Sequence, residues 1–378
     1  MTTSPAFQSF TTSRGARVFA IPVEAFPHFY AYAYLVQTGD MLTLIDTGSG
    51  SERSHETLQA GFEQAGAALG KPVTFADLTH ILITHGHIDH FGGLVKLRDE
   101  TRAQIGIHEL DFQTVAHHEE KLAVMGRRLG AFLKQWGIAD EERADLLRMY
   151  RFTKGLYHSV PVDFMYEDAG MKVGDFEMLH LPGHCPGHVA IKLDDVVFCG
   201  DHIVEDVTPH QSPEELTPFL GIRHYLESLS LFERWAEGAR FVLGGHGQIQ
   251  YPATRIAEIR ASLDHRLHQT LEAFREPNTV AAACRQVYGE IGGYNALLVI
   301  EKMGAYVEYL FQRGLLEISN LIELEGGALP PSPVIGRGAG GEGRGEGRGE
   351  TQPIIRYRCP NPVPDMELLP KERAYVLV

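Results

Sequence analysis

The sequence predicts an α/β fold in which sheet layers are flanked by helices, and three observations carry that prediction. Short β-rich runs fill the first residues, a second set of such runs returns after residue 170, and each set is followed by stretches of helical periodicity. At 378 residues, with 44% hydrophobic and 22% charged residues, the chain can bury a sizeable core, which excludes wholesale disorder.

The elements follow in order. Val18–Val23, Phe29–Val36 and Met41–Ile45 are β-rich, and Thr38-Gly39-Asp40 between the last two is a hairpin turn. Ser54 opens a helix with Leu58, Phe62 and Ala65 on one face, closed by Gly70-Lys71-Pro72. Thr79–Thr84 is a short apolar strand, and Ile105–Ile107 another. Residues 109–158 read as helical, because Leu122, Met125, Leu129, Phe132, Leu133 and Trp136 recur at three to four, and Gly137 and Asp140 divide the stretch into two helices. Strands are predicted at Phe176–Leu181, Val189–Leu193, Val196–Cys199 and Phe241–Leu243, with a helix near His224–Ala236. From Pro252 helices run over Thr254–Phe274, Thr279–Tyr288 and Leu297–Gln312. Leu315–Ile318 and Leu321–Leu324 then read as a hairpin about Ser319-Asn320, completing a winged-helix pattern.

The expected organisation is a catalytic unit over 1–250 with a helical insert at about 109–160, a winged-helix-like α+β unit over 251–325, and a disordered tail over 326–378. Gly336–Glu350 is a Gly/Arg/Glu repeat with no apolar residue larger than Ala339 to pack. An Arg-rich RNA tail is the other reading, but Arg337, Arg344 and Arg348 are matched by Glu342, Glu346 and Glu350 with no aromatic among them.

The formal net charge of −15 gives no overall attraction to phosphate backbones or anionic lipid. The opening residues hold no apolar run, and no stretch of about 18 apolar residues follows, so neither a signal peptide nor a membrane span is expected. The four cysteines show no CxxC spacing and are read as reduced, in a cytoplasmic protein.

Histidine carries the chemistry. The apolar strand ending at Thr84 delivers His85-Gly86-His87-Ile88-Asp89-His90, too polar for a core segment and followed by Gly92-Gly93. Divalent ions take imidazole and carboxylate donors that converge to roughly 2.0–2.2 Å, and this one turn offers four. A solvated histidine cluster is the bland alternative.

This run resembles the metallo-β-lactamase superfamily, whose hallmark is a His-x-His-x-Asp-His turn after a short strand. Asp46-Thr47-Gly48, Leu181-Pro182-Gly183-His184-Cys185-Pro186-Gly187-His188, Phe198-Cys199-Gly200-Asp201 and Gly244-Gly245-His246-Gly247 resemble its other motifs, in the same order. The resemblance implies a four-layer αββα sandwich and two Zn²⁺ per chain, with Fe or Mn as alternatives. It places one metal on His85, His87 and His184 and a second on Asp89, His90 and His246, bridged by Asp201. Asp89 and Asp201 then act in catalysis through the metals, lowering the pKa of a shared water that attacks the substrate. Asp46 and His188 suit roles orienting ligands, although a hydrogen-bonded core histidine describes His188 equally well. Cys185 is read as a small packed hydrophobe rather than a nucleophile.

Asp201 stands where dedicated antibiotic-degrading members typically carry Cys, so the expected reaction is hydrolysis of a small ester, thioester or lactone. A phosphodiesterase or endoribonuclease using the same site is the alternative, since the helices from 252 onward resemble hydrolases grouped with the mammalian β-lactamase-like protein 2. A mononuclear iron persulfide dioxygenase is a third reading. Seven basic against eight acidic residues across 251–320, a net of −1, point to packing, homodimer formation or pocket closure rather than nucleic-acid binding. The expected partner is a small-molecule substrate, without membrane or nucleic acid. In the insert, Trp136, Tyr150, Phe152 and Tyr157 either line an acyl pocket or pack the helices together.

Overall fold

The computed structural model describes residues 5–324, 354–360 and 368. Seven strands form the first sheet, in sequence order: β1 (Gln8–Thr11), β2 (Arg17–Phe26), β3 (Phe29–Thr38), β4 (Met41–Ile45), β5 (His80–Leu82), β6 (Gln104–Ile107) and β7 (Phe164–Met165). The second sheet holds β8 (Lys172–Val173), β9 (Phe176–His180), β10 (Val189–Leu193), β11 (Val196–Gly200), β12 (Phe241–Gly244) and β13 (Gly247–Ile249), in the order β13-β12-β11-β10-β9-β8. Each sheet begins as antiparallel hairpins and turns parallel where helices supply the crossovers, at β4–β5–β6–β7 and at β11–β12.

The period-two alternation of the strands builds four layers. Val18 and Ala20 of β2 face Val189, Ile191, Val196 and Phe198 of the second sheet. Phe19, Ile21 and Val23 face the other way, onto Leu58, Phe62 and Ala65 of α1 (Glu52–Leu69) and onto α3 (Leu94–Glu100). Ser51 caps α1 by accepting the Ser54 N–H, and Gly70 closes it at φ 70. Val197 and Cys199 of β11 point outward, beneath α7 (Ile222–Trp235) and the C-terminal helices α8 (Pro252–Ala273), α9 (Val280–Tyr288) and α10 (Tyr294–Gln312). These helices share one core with the second sheet.

The insert departs from the expected helix pair. It contains α4 (Glu109–Ala116), α5 (His118–Gln135) and α6 (Asp140–Lys154), because the backbone at His117 leaves helical geometry at φ −134, ψ 48. Leu129, Phe132, Leu133 and Trp136 seat it against the C-terminal helices.

The predicted wing hairpin is corrected. Only Glu317–Ile318 is a strand, β14, and its partner is β15 (Tyr357–Arg358); Leu321–Leu324 is a helical turn, α11. Asn320 is the cause: its Oδ1 accepts the Arg356 N–H at 2.9 Å and its amide donates to the Ile354 carbonyl at 2.9 Å, so the segment at 354–358 takes the place of the second hairpin strand. Part of the expected disordered tail is therefore packed. The Cys359 N–H donates to the Phe274 carbonyl, and Leu368 is buried with its carbonyl accepting from Tyr309. The Gly336–Glu350 repeat lies outside the described residues. No helix among the described residues is long and apolar enough to cross a membrane.

Candidate metal centre

Loops from both sheets meet at one rim. Beyond β5 the chain runs through His85 and His87 into the short helix α2 (Ile88–Phe91), which carries Asp89 and His90. His184 lies between β9 and β10, Asp201 directly follows β11, and His246 sits in the tight turn between β12 and β13. The sequence separation of these residues is closed by sheet packing.

Two donor groups result. Ligand atoms of His85, His87, His184 and Cys185 lie within 4.8 Å of one another, as do those of Asp89, His90, Asp201 and His246. The Asp201 carboxylate stands between them. Its Oδ2 is 3.9 Å from His85 Nε2, 3.8 Å from His184 Nε2 and 3.1 Å from His246 Nε2, and its Oδ1 is 3.4 Å from His90 Nε2. Among the described residues, Nε2 of His85, His90 and His184 and Oδ1 of Asp201 are buried without a hydrogen-bond partner. Buried polar atoms left bare cost free energy, and four of them converging on one space fit a metal centre.

The imidazoles are aimed from behind. His90 Nδ1 meets Asp46 Oδ2 at 2.8 Å, His85 Nδ1 meets the Thr84 hydroxyl at 3.0 Å, His184 Nδ1 meets the His210 carbonyl at 2.8 Å and His246 Nδ1 meets the Tyr30 carbonyl at 2.8 Å. Each such bond fixes a ring and leaves Nε2 for the centre. Asp46 also accepts the Thr84 N–H and hydroxyl, both at 2.8 Å. His188 does not enter either donor group; its Nε2 accepts the Asp201 N–H at 3.1 Å. Gly245 leaves room for both groups, since a Cβ there would fall 2.1 Å from Asp201 Oδ1 and 2.5 Å from His90 Cε1.

Burial, followed by the neighbouring imidazoles, pushes His85 and His87 well below the usual histidine range, so both are neutral and able to ligate. Burial opposes charge on His90 too, but Asp201, Asp89 and Asp46 outweigh it and raise that imidazole well above its ordinary value. His246 is raised by Asp201 against the same opposition. The carboxylate-rich group thus gathers positive charge.

Two neighbours, Asp111 and Lys154, escaped the sequence reading of roles, and a third, Cys185, was read only as packing. Cys185 is buried, as a packed hydrophobe would be, and burial lifts its thiol well above the ordinary value; yet it also belongs to the first donor group. Its adjacency to His184 was the available signal. Asp111, in the first turn of α4, accepts the Gly86 N–H at 2.8 Å and lies against Gly187 of the other histidine loop; burial raises its carboxyl to about 6. Lys154, the last residue of α6, lines the cleft over the centre with His87, Asp89, His184, Asp201 and His246. No local pattern marked either residue. Of the four insert aromatics, only Tyr150 lines the adjoining cavity; Trp136 is core, Phe152 is 72% exposed and Tyr157 packs against the first-sheet core.

Comparison with known proteins agrees with this geometry. The chain is 24% identical over 299 residues to the probable metallo-hydrolase YqjP of Bacillus subtilis, covering 73% of this chain and 86% of that one. It is 31% identical over 124 residues to a hydroxyacylglutathione hydrolase of Shewanella loihica, a match spanning 33% of each. In architecture it resembles a metallo-beta-lactamase family protein of Thermus thermophilus (TM-score 0.64, 22% identity, 91% of this chain and 98% of that one). A beta-lactamase domain protein of Burkholderia ambifaria is similar as well (TM-score 0.65, 20% identity, 93% and 94%). Residues 27–265, which bring together both donor groups, match the metallo-beta-lactamase superfamily, and the chain belongs to it.

Proposed function

We propose that this metal-dependent hydrolase cleaves a small ester, thioester or lactone at a centre of two zinc ions. The position of the Asp201 carboxylate, within 3.9 Å of imidazoles from both donor groups, carries the dinuclear reading. His85, His87 and His184 would hold one ion, Asp89, His90 and His246 the other, with Asp201 between them. Bound ions of this kind polarise a carbonyl oxygen and lower the pKa of water. The residues of the chain do the rest: Asp46 and the His210 and Tyr30 carbonyls orient the imidazoles, His188 holds the Asp201 backbone, and Asp111 holds the Gly86 turn between His85 and His87.

Nitrogen and oxygen donors favour zinc, with iron or manganese as the alternatives. A complete second donor group supports two ions over a mononuclear iron oxygenase. The relatives named hydroxyacylglutathione hydrolase support a thioester, and the helical insert that walls the cleft supports a small substrate over a polymer.

The test is a substrate panel on metal-quantified protein: S-lactoylglutathione, lactones, bis-p-nitrophenyl phosphate and single-stranded RNA. Turnover of the first two above the phosphodiesters, abolished by His85→Ala, is expected. RNA cleavage that exceeds ester turnover and is lost in the same variant would replace this reading with the nuclease one.

A further inference from the structure

Two hollows meet at Lys154. One is the cleft over both donor groups, rimmed by Phe26, Phe29 and Val207. The other, about 200 Å³, runs from His87 and His184 beneath α5 to the apolar side chains of Phe91, Leu122, Met125 and Leu216. Lys154 lines both, at the mouth between the donor groups and the apolar floor.

Lys154 is half-buried, and among the described residues its ammonium makes no ion pair and no hydrogen bond. Elsewhere in the described chain, cations near the cleft are engaged: Arg255 donates to the Val204 carbonyl and pairs with Glu258, and Lys302 donates to the Thr208 carbonyl. Burial disfavours its charge, but Tyr294, Tyr150 and Asp89 outweigh burial and keep it protonated. Asp89 belongs to the second donor group and is committed to a metal in the reading above. An isolated ammonium in a largely apolar wall costs free energy unless a ligand supplies the counter-charge.

We infer that Lys154 is a specificity residue that binds a carboxylate on the acyl portion of the substrate, whose alkyl part lies in the cavity floored by Leu122, Met125 and Leu216. The substrate class is thus narrowed to esters, thioesters or lactones whose acyl portion bears a free carboxylate. This rests on the hydrolase reading but makes a claim about binding that stands apart from turnover. The cavity has space for a short aliphatic chain, and the other lysine on its wall, Lys121 of α5, acts on the Asp111 carboxyl of α4, whose pKa it lowers.

The experiment compares two esters of one leaving group on the zinc-loaded full chain: p-nitrophenyl butyrate and the mono-p-nitrophenyl ester of glutarate. Wild type is expected to favour the glutarate ester. Lys154→Met should lower its kcat/KM about 10- to 100-fold, the range of a charge-assisted hydrogen bond, mainly through KM, while changing butyrate less than about threefold. Lys154→Arg should restore part of the preference. Equal losses on both esters, or a wild-type preference for butyrate, would overturn the assignment. Glutarate binding by calorimetry separates the two readings if neither ester is turned over: weaker binding to Lys154→Met supports the anchor even as the hydrolase reading fails, and unchanged binding refutes it.

Discussion

Asp46 Oδ2 lies 2.8 Å from His90 Nδ1, and Asp46 makes this contact from the left-handed backbone region at φ 57. A non-glycine residue there is strained, and Asp is among the few side chains that tolerate it. The strain holds one carboxylate where it can accept from both Thr84 and His90. Asp46→Asn, which keeps the backbone tolerance but supplies only one acceptor oxygen, should weaken metal affinity about 10- to 100-fold. Chelator competition measures it; unchanged affinity would remove Asp46 from the support of the centre.

Gly245→Ala is expected to disrupt the centre more than the fold. The added methyl would overlap Asp201 Oδ1 and His90 Cε1, forcing apart residues of the carboxylate-rich group at a cost of about 1–3 kcal/mol. Metal analysis should show lost occupancy while circular dichroism retains the α/β spectrum. Full occupancy in this variant would mean that the loop carrying His246 yields freely.

Lys302 gives a pH signature. Burial, followed by Arg266, lowers its ammonium to about 8 from 10.5, so between those values the unfolded chain binds more protons than the folded one. Its contribution to stability therefore rises as pH climbs from 8 to 10.5, and the burial penalty is fully present below 8. Lys302→Met should raise Tm at pH 7, and the gain should shrink steadily above pH 8. A gain that does not change with pH would show that packing, rather than charge, is responsible.

RNA should bind too weakly to matter at about 0.15 M salt, where surface charge is screened beyond roughly 8 Å. The net charge is −15, and the arginines of α8 are occupied: Arg255 by Val204 and Glu258, Arg260 by Ser230, Arg266 by Gln269 and the Tyr288 ring. Filter binding of a labelled single strand checks this, and submicromolar affinity at that salt would reveal a basic groove that these contacts do not suggest.

The parts legible in the sequence were those written locally. The apolar alternation of β2 through β4, the helix read from Ser54 to Gly70, which is in fact capped by Ser51, and the dense His85–His90 turn declare themselves within a few residues. His184 and His246 were readable only through resemblance, because His184 after Gly183 and His246 between Gly245 and Gly247 offer no local ligand cluster and their partners arrive by sheet packing. Asp111 and Lys154 left no trace, since the insert that carries them is ordinary amphipathic helix and only its docking aims them at the cleft. The wing failed for a related reason: Leu321–Leu324 reads as an apolar hairpin partner to Leu315–Ile318, but the Asn320 side chain captures a segment more than thirty residues later in the chain.

The measurement closest to the central claim is a zinc titration of metal-depleted protein, with bound metal and ester turnover followed together in wild type and in Asp201→Ala. The account predicts about two ions per wild-type chain, activity that reaches its maximum only with the second, and a variant that loses occupancy and turnover together. Full activity at one ion per chain, or an Asp201→Ala protein that keeps both ions and its rate, would contradict it.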